Sequence, residues 1–522
     1  MALRRVLQKL TTLAVCRVRG CSTHCRRSRH FSSFFSTSDT VFALSSGYGK
    51  CGVAVIRATG PHAKDALLKI TGLERPPQAR HALFRRLVDP RSGDTIDHGL
   101  VLWFPGPHSF TGEDCLELQS HGGPAVVVGL LGALEGVAGC RHAEPGDFTK
   151  RAFFNGKLGL TEVEGLGDLI HAETEAQRKQ ALRQMEGDLG RLYKNWTTKL
   201  TQLVAHIEAV IDFGEDENIG DNVLPQVRSE VKELLTEVEV HLNDGRRGER
   251  LRSGVHVAIV GAPNAGKSSL LNILCQRPAA IVSPQAGTTR DVLESALDIS
   301  GYPIVLSDTA GIRESTNPIE QEGVRRALQR AENADLKILI ADSSLLSSQL
   351  INDHLCNPDT TPSDLAQLFL HPHNPAENVF NDHDTIVVLN KADLLSDGDV
   401  KQWHASISEE SKIKLCWMSC KTEEGVEGFL QQLKSILEKM CGNPLAGNPS
   451  ITQARHRQQL TLSQEALGNF MSLTLEPDYW DKSLDLAAEE LRTSIRHLGR
   501  ITGKVGIEEI LDVVFKDFCI GK

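Results

Sequence analysis

Apolar side chains recur at every third or fourth position in two separated parts of the chain, a spacing typical of helices that bury one face. The first part holds two such stripes, over 182–210 and 227–242. The second part predicts helices over 454–473, 484–498 and 507–518. The simplest topology is therefore one helical domain that is interrupted by another domain.

The same pattern sets the domain boundaries and predicts the form of two further segments. The helical blocks are assigned to 157–250 and 441–522, with the inserted domain at 251–440. An acidic stretch at 212–221 is expected to form a solvated turn. A stretch with Pro, Asn and His at 343–384 is predicted to be an exposed loop on account of its length.

Residues 39–156 show a different pattern, in which short β-forming runs alternate with two helical ones. Strands are predicted at 41–44, 53–57, 99–104 and 115–119, and helices at 62–71 and 125–134. The pattern predicts a small α+β domain. By itself it assigns this domain no ligand.

Length and charge limit the classes of function. The 522 residues suffice for several domains, and no apolar run approaches the length of a membrane span. The net charge is −10, and residues 1–38 hold eight basic side chains and no acid, which leaves −18 for the rest. A field of this sign repels nucleic acid, so any RNA contact requires a local basic patch. The twelve scattered cysteines fit reduced thiols rather than a disulfide framework.

Residues 1–38 are rich in Arg and Ser, and they lack the apolar core of a secretory signal. This composition is typical of a mitochondrial transit peptide, with a candidate processing site at 29–32. We therefore expect import into the mitochondrial matrix. A disordered cytosolic tail is the alternative.

The strongest local signal is a β-forming run that ends at Gly261 and is followed by Gly266, Lys267 and Ser268. Glycines at this spacing let consecutive backbone N–H groups face a phosphate, and the helix that follows adds its dipole. Lys267 is expected to lie between the β- and γ-phosphates, and the Ser268 hydroxyl to hold Mg²⁺. One such match alone also occurs in ordinary loops.

Further motifs follow in order at 287–291, 308–311, 390–393 and 419–421. Asp308 ends a β-forming run, where a carboxylate reaches Mg²⁺ through water. Asp393 follows another such run, where a carboxylate accepts two N–H groups that guanine offers and adenine does not. Five motifs in this order predict a GTPase. The predicted GTP contacts are Asn264, Ala265, Gly266, Lys267, Ser268, Ser269, Gly287, Thr288, Thr289, Asp308, Thr309, Ala310, Gly311, Asn390, Lys391, Asp393, Ser419, Cys420 and Lys421.

The position after Gly311 differs from that of Ras-like enzymes, which place a water-orienting Gln there. Here it is Ile312, whose aliphatic side chain cannot orient water. Hydrolysis therefore needs another polar group, and the same segment offers Arg313, Glu314, Glu320 and Glu322. The side-chain oxygen of Asn264 is a candidate ligand for a monovalent cation, which would take the place of an arginine finger.

Short motifs outside the GTPase region complete the pattern, at 109–114, 116–119, 121–124, 151–155 and the terminal 518–522. Together with the GTPase motifs at 261–268 and 287–291, they resemble the MnmE (TrmE) family of tRNA-modifying GTPases over residues 39–522. With its presequence, the chain looks like a mitochondrial member. One departure is the first Gly-rich turn, at 46–52, which differs from the family's pattern.

The resemblance implies a multidomain fold of α/β and all-α parts. An N-terminal α+β domain at 39–156 would dimerise and bind a 5-formyltetrahydrofolate-type one-carbon donor. A Ras-like P-loop domain with a doubly wound sheet would be inserted in a discontinuous helical domain, and potassium-dependent dimerisation would activate it. The homodimer would work in a hetero-oligomer with an MnmG-like partner that contains FAD.

By position, the resemblance also implies residue roles. The folate contacts would be Arg57, Glu117, Lys157 and Lys522. The potassium ligands would be Asn264, Ser283, Gln285 and Thr288, and the magnesium ligands Ser268 and Thr289. Glu320 matches a water-activating glutamate, and Cys519 matches a cysteine required for modification. From the sequence alone, the alternative for Cys519 is a buried helical thiol.

The expected function is a GTPase that drives modification at carbon 5 of the wobble uridine in mitochondrial tRNAs, with a taurinomethyl uridine as product. The rival is a switch GTPase for mitochondrial ribosome assembly, which binds RNA and changes no base. That class usually carries an RNA-binding domain, such as a KH domain, and the sequence shows no sign of one.

Overall fold

The computed structural model describes residues 38–217, 220–276, 294–307, 331–345, 360–370, 385–395, 414–447, 449–475 and 480–505, with shorter pieces at 329, 380, 511, 514–515 and 518–521. Contacts divide them into two compact units. The first unit holds the described residues before position 160 and after position 507, and the second holds those between.

The first unit is an α+β domain, as predicted. Its strands are β1 Thr40–Leu44, β2 Cys51–Thr59, β3 Leu83–Val88, β4 Thr95–Phe104, β5 Cys115–Gly122 and β6 Cys140–His142. Its helices are α1 Ala63–Thr71, α2 Pro124–Glu135 and α3 Asp147–Phe154. The six strands form one sheet in the order β3-β4-β5-β2-β1-β6. Neighbouring strands are antiparallel, except that β1 and β6 are parallel.

Strand alternation in this sheet directs one set of side chains toward α1 and α2 and the other set away from them. The core on the helical face includes Phe42, Ile56, Leu67, Leu118 and Leu130. On the opposite face, Phe148 of α3 packs against Val41 and Ala43 of β1. Helices α1 and α2 therefore pack on one face of the sheet, and α3 packs on the β1 end of the other.

The second unit combines a helical domain with a second sheet. Its helices are α4 Leu160–His171, α5 Glu175–Met185, α6 Asp188–Glu217, α7 Gly220–Leu242, α8 Arg247–Ser253, α9 Lys267–Cys275, α10 Pro362–Phe369, α11 Val426–Cys441, α12 Ala454–Leu473 and α13 Trp480–Thr502. Its strands are β7 Val255–Gly261, β8 Glu294–Ile299, β9 Tyr302–Ser307, β10 Leu336–Asp342, β11 Thr385–Asn390 and β12 Lys414–Trp417. Within the described part of the chain, no helix is both long and apolar enough to cross a bilayer.

The predicted apolar stripes form the core of the helical domain. Leu203 of α6 and Val231 of α7 share one buried cluster with Leu467 of α12 and Leu491 of α13. The first two helices precede the inserted domain in the chain and the last two follow it. The helical domain is therefore discontinuous, as predicted.

The expected turn at 212–221 is wrong for its described residues. Helix α6 continues through Glu217, and α7 begins at Gly220. The side chains of Ile211 and Asp212, just beyond the buried stripe, are exposed. A helix with an exposed face carries charged side chains without strain, so acidity alone does not end it.

The inserted domain is a doubly wound α/β sheet in the order β12-β11-β10-β7-β9-β8. All neighbouring strands are parallel, except that β8 and β9 are antiparallel. Separate buried clusters lie on its two faces, one with Ile338 of β10 and one with Leu339 of the same strand. A parallel sheet buried on both faces explains why its strands read as continuous apolar runs.

The exposed loop predicted at 343–384 is wrong for the part that the structure describes. Helix α10 lies inside it, and Leu365, Ala366 and Phe380 are buried against the sheet. Strands β10 and β11 are parallel neighbours, and such a pair needs a long crossover, usually a helix. A capping box between Thr361 and Asp364 begins this helix.

The described C-terminal residues belong to the first unit, although their place in the chain assigned them to the helical domain. Residues 511, 514 and 515 are helical, in keeping with the predicted last helix. Phe515 lies against Gly146, where an added Cβ would come within 2.8 Å of the Phe515 carbonyl oxygen. The Lys150 ammonium is 6.0 Å from the centre of the Phe515 ring. These contacts, rather than chain order, decide where the tail packs.

Candidate functional site

The loop between β7 and α9 has the form of a phosphate site. Asn264 (φ 64°) and Gly266 (φ 109°) both adopt left-handed conformations, which turn successive N–H groups to one side. Helix α9 begins at Lys267, so its positive end faces the same loop. The Lys267 ammonium donates hydrogen bonds to the carbonyls of Gly261 (2.8 Å) and Ala262 (2.9 Å). The loop is thus held in its curved form by its own lysine.

The buried side chain of Asn390 joins this loop to the next motifs. Its Nδ2 donates to the carbonyl of Ala265 at 2.8 Å, and its Oδ1 accepts from the N–H of Cys420 at 2.9 Å. An added Cβ at Gly266 would collide with the Asn390 Nδ2, so only glycine permits this contact. One amide therefore fixes three motifs that are far apart in the sequence.

Asp393 lies in a short 3-10 turn, Ala392–Leu394, after β11. Its Oδ1 accepts a hydrogen bond from the Ser419 Oγ at 2.6 Å. The Ser419 Oγ in turn accepts a hydrogen bond from the N–H of Lys421 at 3.2 Å. Burial raises the pKa of the neighbouring Cys420 thiol to about 11, so it stays protonated near neutral pH. This rigid, partly exposed carboxylate can bind the two N–H groups of guanine.

Lys391 is held by an acid that the sequence motifs did not include. Its ammonium pairs with Asp342 Oδ2 at 2.6 Å, and its backbone is left-handed (φ 65°). Asp342 ends β10, directly beside Asn390 at the end of β11. Burial alone would raise the pKa of Asp342, but hydrogen bonds from Lys391 and Ser344 outweigh it and the pKa is lowered. The sequence offered only an acid at the end of a β-forming run, and the pairing of β10 with β11 is what brings this acid to Lys391.

In the first unit, the structure brings two of the predicted folate residues together. Arg57 of β2 and Glu117 of β5 are opposite each other in the sheet, and Arg57 Nη2 lies 2.7 Å from Glu117 Oε1. The guanidinium carbon is 5.9 Å from the ring centres of both Phe110 and Phe148. The pair is mostly shielded from water, which strengthens the attraction between its charges.

Lys157 is the third predicted folate residue that the structure describes, and it contacts the loop that carries Phe110. Its ammonium donates to the carbonyl of Pro107 at 2.8 Å. The same loop is fixed by Asn155, whose Nδ2 donates to the carbonyl of Thr111 at 2.7 Å. It is also fixed by Arg151, whose Nη1 lies 3.0 Å from Glu113 Oε2. The motifs at 109–114 and 151–155 thus brace each other.

Cys519 is exposed, which contradicts the alternative of a buried helical thiol. The tail that carries it is held on the first unit, where the Ser45 Oγ donates to the carbonyl of Gly521 at 3.0 Å. Gly521 is left-handed (φ 95°), and an added Cβ would lie 2.5 Å from the carbonyl oxygen of Leu44. The thiol is thus exposed beside a fixed glycine.

Two sequence profiles match the chain. The MnmE helical domain matches residues 160–519, and the N-terminus of the GTP-binding protein TrmE matches residues 40–157. The chain belongs to the MnmE (TrmE) family. Within that family, the geometry described above is that of a P-loop GTPase.

Relatives within the MnmE family match almost the whole chain. A protein of Danio rerio named "5-taurinomethyluridine-tRNA synthase subunit GTPB3, mitochondrial" is 53% identical over 95% of both chains. The Homo sapiens protein of that name is 49% identical over 98% of this chain and 99% of its own. The "tRNA modification GTPase MnmE" of Paramagnetospirillum magneticum is 46% identical over 93% of this chain and 100% of its own.

Several predicted site residues of this MnmE family member lie outside the described residues. They are Ser283, Gln285, Gly287, Thr288, Thr289, Asp308, Thr309, Ala310, Gly311, Glu320 and Lys522. Of the others, Ser268 and Ser269 occupy the first turn of α9. The roles predicted for all these residues stay predictions.

Proposed function

We propose that this chain is a mitochondrial GTPase whose GTP hydrolysis drives modification at carbon 5 of tRNA wobble uridines, with 5-taurinomethyluridine as the product. The nucleotide part is supported by Asn390, which joins the phosphate loop to the motif beside Asp393. The tRNA part is supported by the names of relatives that are 49–53% identical. The observation that carries the proposal is that this identity extends over nearly the whole chain, because a GTPase domain alone occurs in many protein classes.

In this mechanism the described residues supply positive charge and fixed N–H donors. The backbone of the loop after β7 would bind the phosphates, and Lys267 would exchange its two carbonyl partners for phosphate oxygens. These groups are already in place, so they stabilise the negative charge that develops during phosphoryl transfer without having to reorganise. This lowers the activation barrier. Glu320 would position the attacking water, because Ile312 cannot.

Hard cations fit the oxygen donors of the same loop. The Ser268 hydroxyl, in the first turn of α9, would hold Mg²⁺ together with Thr289. Asn264 would hold potassium, which adds positive charge beside the phosphates. The other potassium ligands would be Ser283, Gln285 and Thr288. GTP turnover should be faster in potassium than in sodium, and equal rates for wild type and Asn264→Ala in both salts would contradict this site.

The first unit would bind the 5-formyltetrahydrofolate-type donor, which supplies the one-carbon unit. Arg57 and Glu117 fit such a ligand, because they present a guanidinium and a carboxylate beside two aromatic rings. Lys157 and Lys522 would attract the glutamate carboxylates of a folate. Cys519 would act in the modification itself.

The remaining parts of the proposal concern partners and location. The chain would form a homodimer and work in a hetero-oligomer with an MnmG-like protein that carries FAD. It would act in the mitochondrial matrix after removal of the segment 1–38. The mitochondrial names of the relatives and the acid-free, Arg-rich start of the chain support this location.

Cells that lack this chain provide the decisive test. Nucleoside analysis of their mitochondrial tRNAs should find the wobble uridine unmodified, while gradient sedimentation finds assembled mitochondrial ribosomes. Restoring the wild-type chain should restore the modified uridine. Modified tRNAs together with unassembled ribosomes would instead favour the rival, a GTPase for ribosome assembly.

A further inference from the structure

The β8–β9 hairpin of the inserted domain connects two of the predicted GTP motifs. Strand β8 begins at Glu294, after the motif at 287–291, and β9 ends at Ser307, directly before the motif at 308–311. The two strands are paired along their whole length. In P-loop GTPases the segments that contact the γ-phosphate and Mg²⁺ rearrange on hydrolysis. A displacement of either motif therefore reaches the hairpin.

The turn of this hairpin lies against α5 of the helical domain. The pairing of β9 with β7 begins at Ile304, so the turn extends past the first residue of β7. There the N–H of Ala176, in the first turn of α5, donates to the carbonyl of Gly301 at 3.1 Å. First-turn N–H groups have no partner inside their own helix, so they are free to make such a contact. Ala176 is 7% exposed and shares a buried cluster with Ile299 and Ile304.

Two glutamines of α5 hold the segment that leads into β7. The Gln177 Nε2 donates to the carbonyl of Arg252 at 3.1 Å, and the Gln180 Nε2 donates to the carbonyl of Gly248 at 3.0 Å. Both carbonyls belong to α8, which directly precedes β7 and the phosphate loop. Because the acceptors here and at the hairpin turn are backbone groups, α5 is attached to the main chain at both places.

The other end of α5 is joined to the helical domain by Gln184, whose side chain is buried. Its Nε2 donates to the carbonyl of Thr161 in α4 at 3.1 Å, and its Oε1 accepts from the Thr452 Oγ1 at 2.7 Å. Thr452 lies just before α12. A helix moves as one body because its backbone hydrogen bonds are internal. Helix α5 therefore connects the hairpin with both halves of the discontinuous helical domain.

We propose that α5 carries the nucleotide state of the inserted domain to the helical domain, and that this link couples GTP hydrolysis to tRNA modification. A displaced hairpin moves Ala176, and Gln184 passes the movement to α4 and to the start of α12. The hydrogen bonds of Gln177 and Gln180 have modest net strength, so they can break and reform in each cycle. The phosphate loop and Asp393 follow the carboxyl ends of their strands, whereas α5 contacts the amino ends of β7 and β9. The coupling to modification rests on the proposed function.

The double variant Gln177→Glu, Gln180→Glu tests the link, because it removes both amide donors with little change in side-chain size. A glutamate at position 177 still accepts the N–H of Thr174, so the capping box that begins α5 is kept. In cells that lack the chain, this variant should restore about tenfold less modified wobble uridine than wild type, the factor expected for two lost hydrogen bonds. The purified variant should keep the wild-type GTP turnover and nucleotide affinity.

Hydrogen exchange of the purified full-length chain, measured by mass spectrometry, tests the link without tRNA. In wild type, the backbone amides of α5 should exchange at different rates with GDP and with a non-hydrolysable GTP analogue bound. In the double variant this difference should disappear from α5 and remain in the phosphate loop.

A matched control makes the same change of charge on exposed helical faces elsewhere. Gln202→Glu replaces an exposed residue of α6, and Gln431→Glu replaces an exposed residue of α11. A chain with both control changes should keep tRNA modification and the nucleotide-dependent exchange of α5. An equal loss in this control would overturn the proposal, since it would assign the effect to charge alone.

Two further outcomes would contradict the link. One is wild-type tRNA modification by the Gln177→Glu, Gln180→Glu variant, or exchange of its α5 amides that still responds to the nucleotide. The other is a joint loss of GTP turnover, nucleotide affinity and thermal midpoint, which would make α5 a structural support only. If the wild-type chain itself restores no modified uridine, the proposed function fails, whereas the exchange measurement still decides whether α5 responds to the nucleotide.

Discussion

Lys391 belongs to a guanine-binding motif, but its position depends on Asp342, a residue outside that motif. Removing the charge in Asp342→Asn should weaken GTP and GDP binding by about 1 kcal/mol, roughly fivefold, because the ion pair is only partly buried. The turnover rate at saturating GTP should stay near wild type. Nucleotide titration beside phosphate-release kinetics measures both quantities.

Two comparison variants give this prediction its control. Asp342→Glu keeps the charge and should recover most of the affinity. Asp393→Asn removes the carboxylate that reads the base, so it should weaken GTP binding more, by about 2–4 kcal/mol, and favour xanthosine triphosphate. An Asp342→Asn variant with wild-type affinity would show that Lys391 is positioned by other contacts.

Hydrolysis and modification should separate at two residues. Glu320→Ala should leave nucleotide affinity nearly unchanged and slow hydrolysis about 100-fold or more, the effect of losing a water-activating group. Cys519→Ser should keep GTP turnover and abolish tRNA modification, because a serine hydroxyl is a far poorer nucleophile. Phosphate release and tRNA nucleoside analysis on the same variants test this. Full tRNA modification by the Cys519→Ser variant would show that this exposed thiol takes no part in the modification.

At the scale of elements, α10 and the nearby Phe380 contribute to stability by packing on the nucleotide-binding sheet. With Phe380, α10 fills one face of this sheet, and the Phe380 side chain is fully buried. Phe380→Ala should lower the free energy of unfolding by about 3–5 kcal/mol through cavity formation. Leu345→Ala, at a side chain that is 76% exposed, should change it by less than about 0.5 kcal/mol. Urea unfolding measures both, and equal losses would contradict the packing role.

The elements also show what sequence patterns can predict. Helix α12 has the bounds that its periodicity predicted, because a regular apolar stripe is enough to specify a buried face. Strand β3 was missed, since Arg85 and Arg86 interrupt the alternation on an edge strand. Helix α10 was missed because its requirement comes from the pairing of β10 with β11, which no local pattern contains. In the nucleotide site, sequence motifs predicted Asn390 and Asp393. The role of Asp342 could not be predicted in this way, because it follows from the strand order of the sheet.

For the whole molecule, acid stability should depend on a histidine in the helical core. The His241 Nε2 lies 3.1 Å from the Tyr193 hydroxyl, and burial lowers the pKa of His241 to about 4. The unfolded chain binds this proton near pH 6.5 and the folded chain near pH 4, so the stabilising contribution is complete above pH 6.5. As the pH falls to 4, the free energy of unfolding should decrease by about 3 kcal/mol.

Chemical denaturation at a series of pH values measures this loss. His241→Gln cannot titrate, so its stability should fall less steeply than that of wild type between pH 6.5 and 4. The matched control is His98→Gln, which replaces an exposed histidine. Its stability should change with pH as steeply as that of wild type. Identical slopes for wild type and His241→Gln would assign the acid sensitivity to other groups.

The discontinuous helical core has a consequence for synthesis. The ribosome makes α6 and α7 first, but the helices that bury their apolar faces, α12 and α13, emerge only after the whole nucleotide-binding domain. At usual elongation rates this interval lasts on the order of ten seconds or more. During that time Leu203 and Val231 have no partners from the later helices, so the apolar faces of α6 and α7 stay partly uncovered until α12 and α13 have been made.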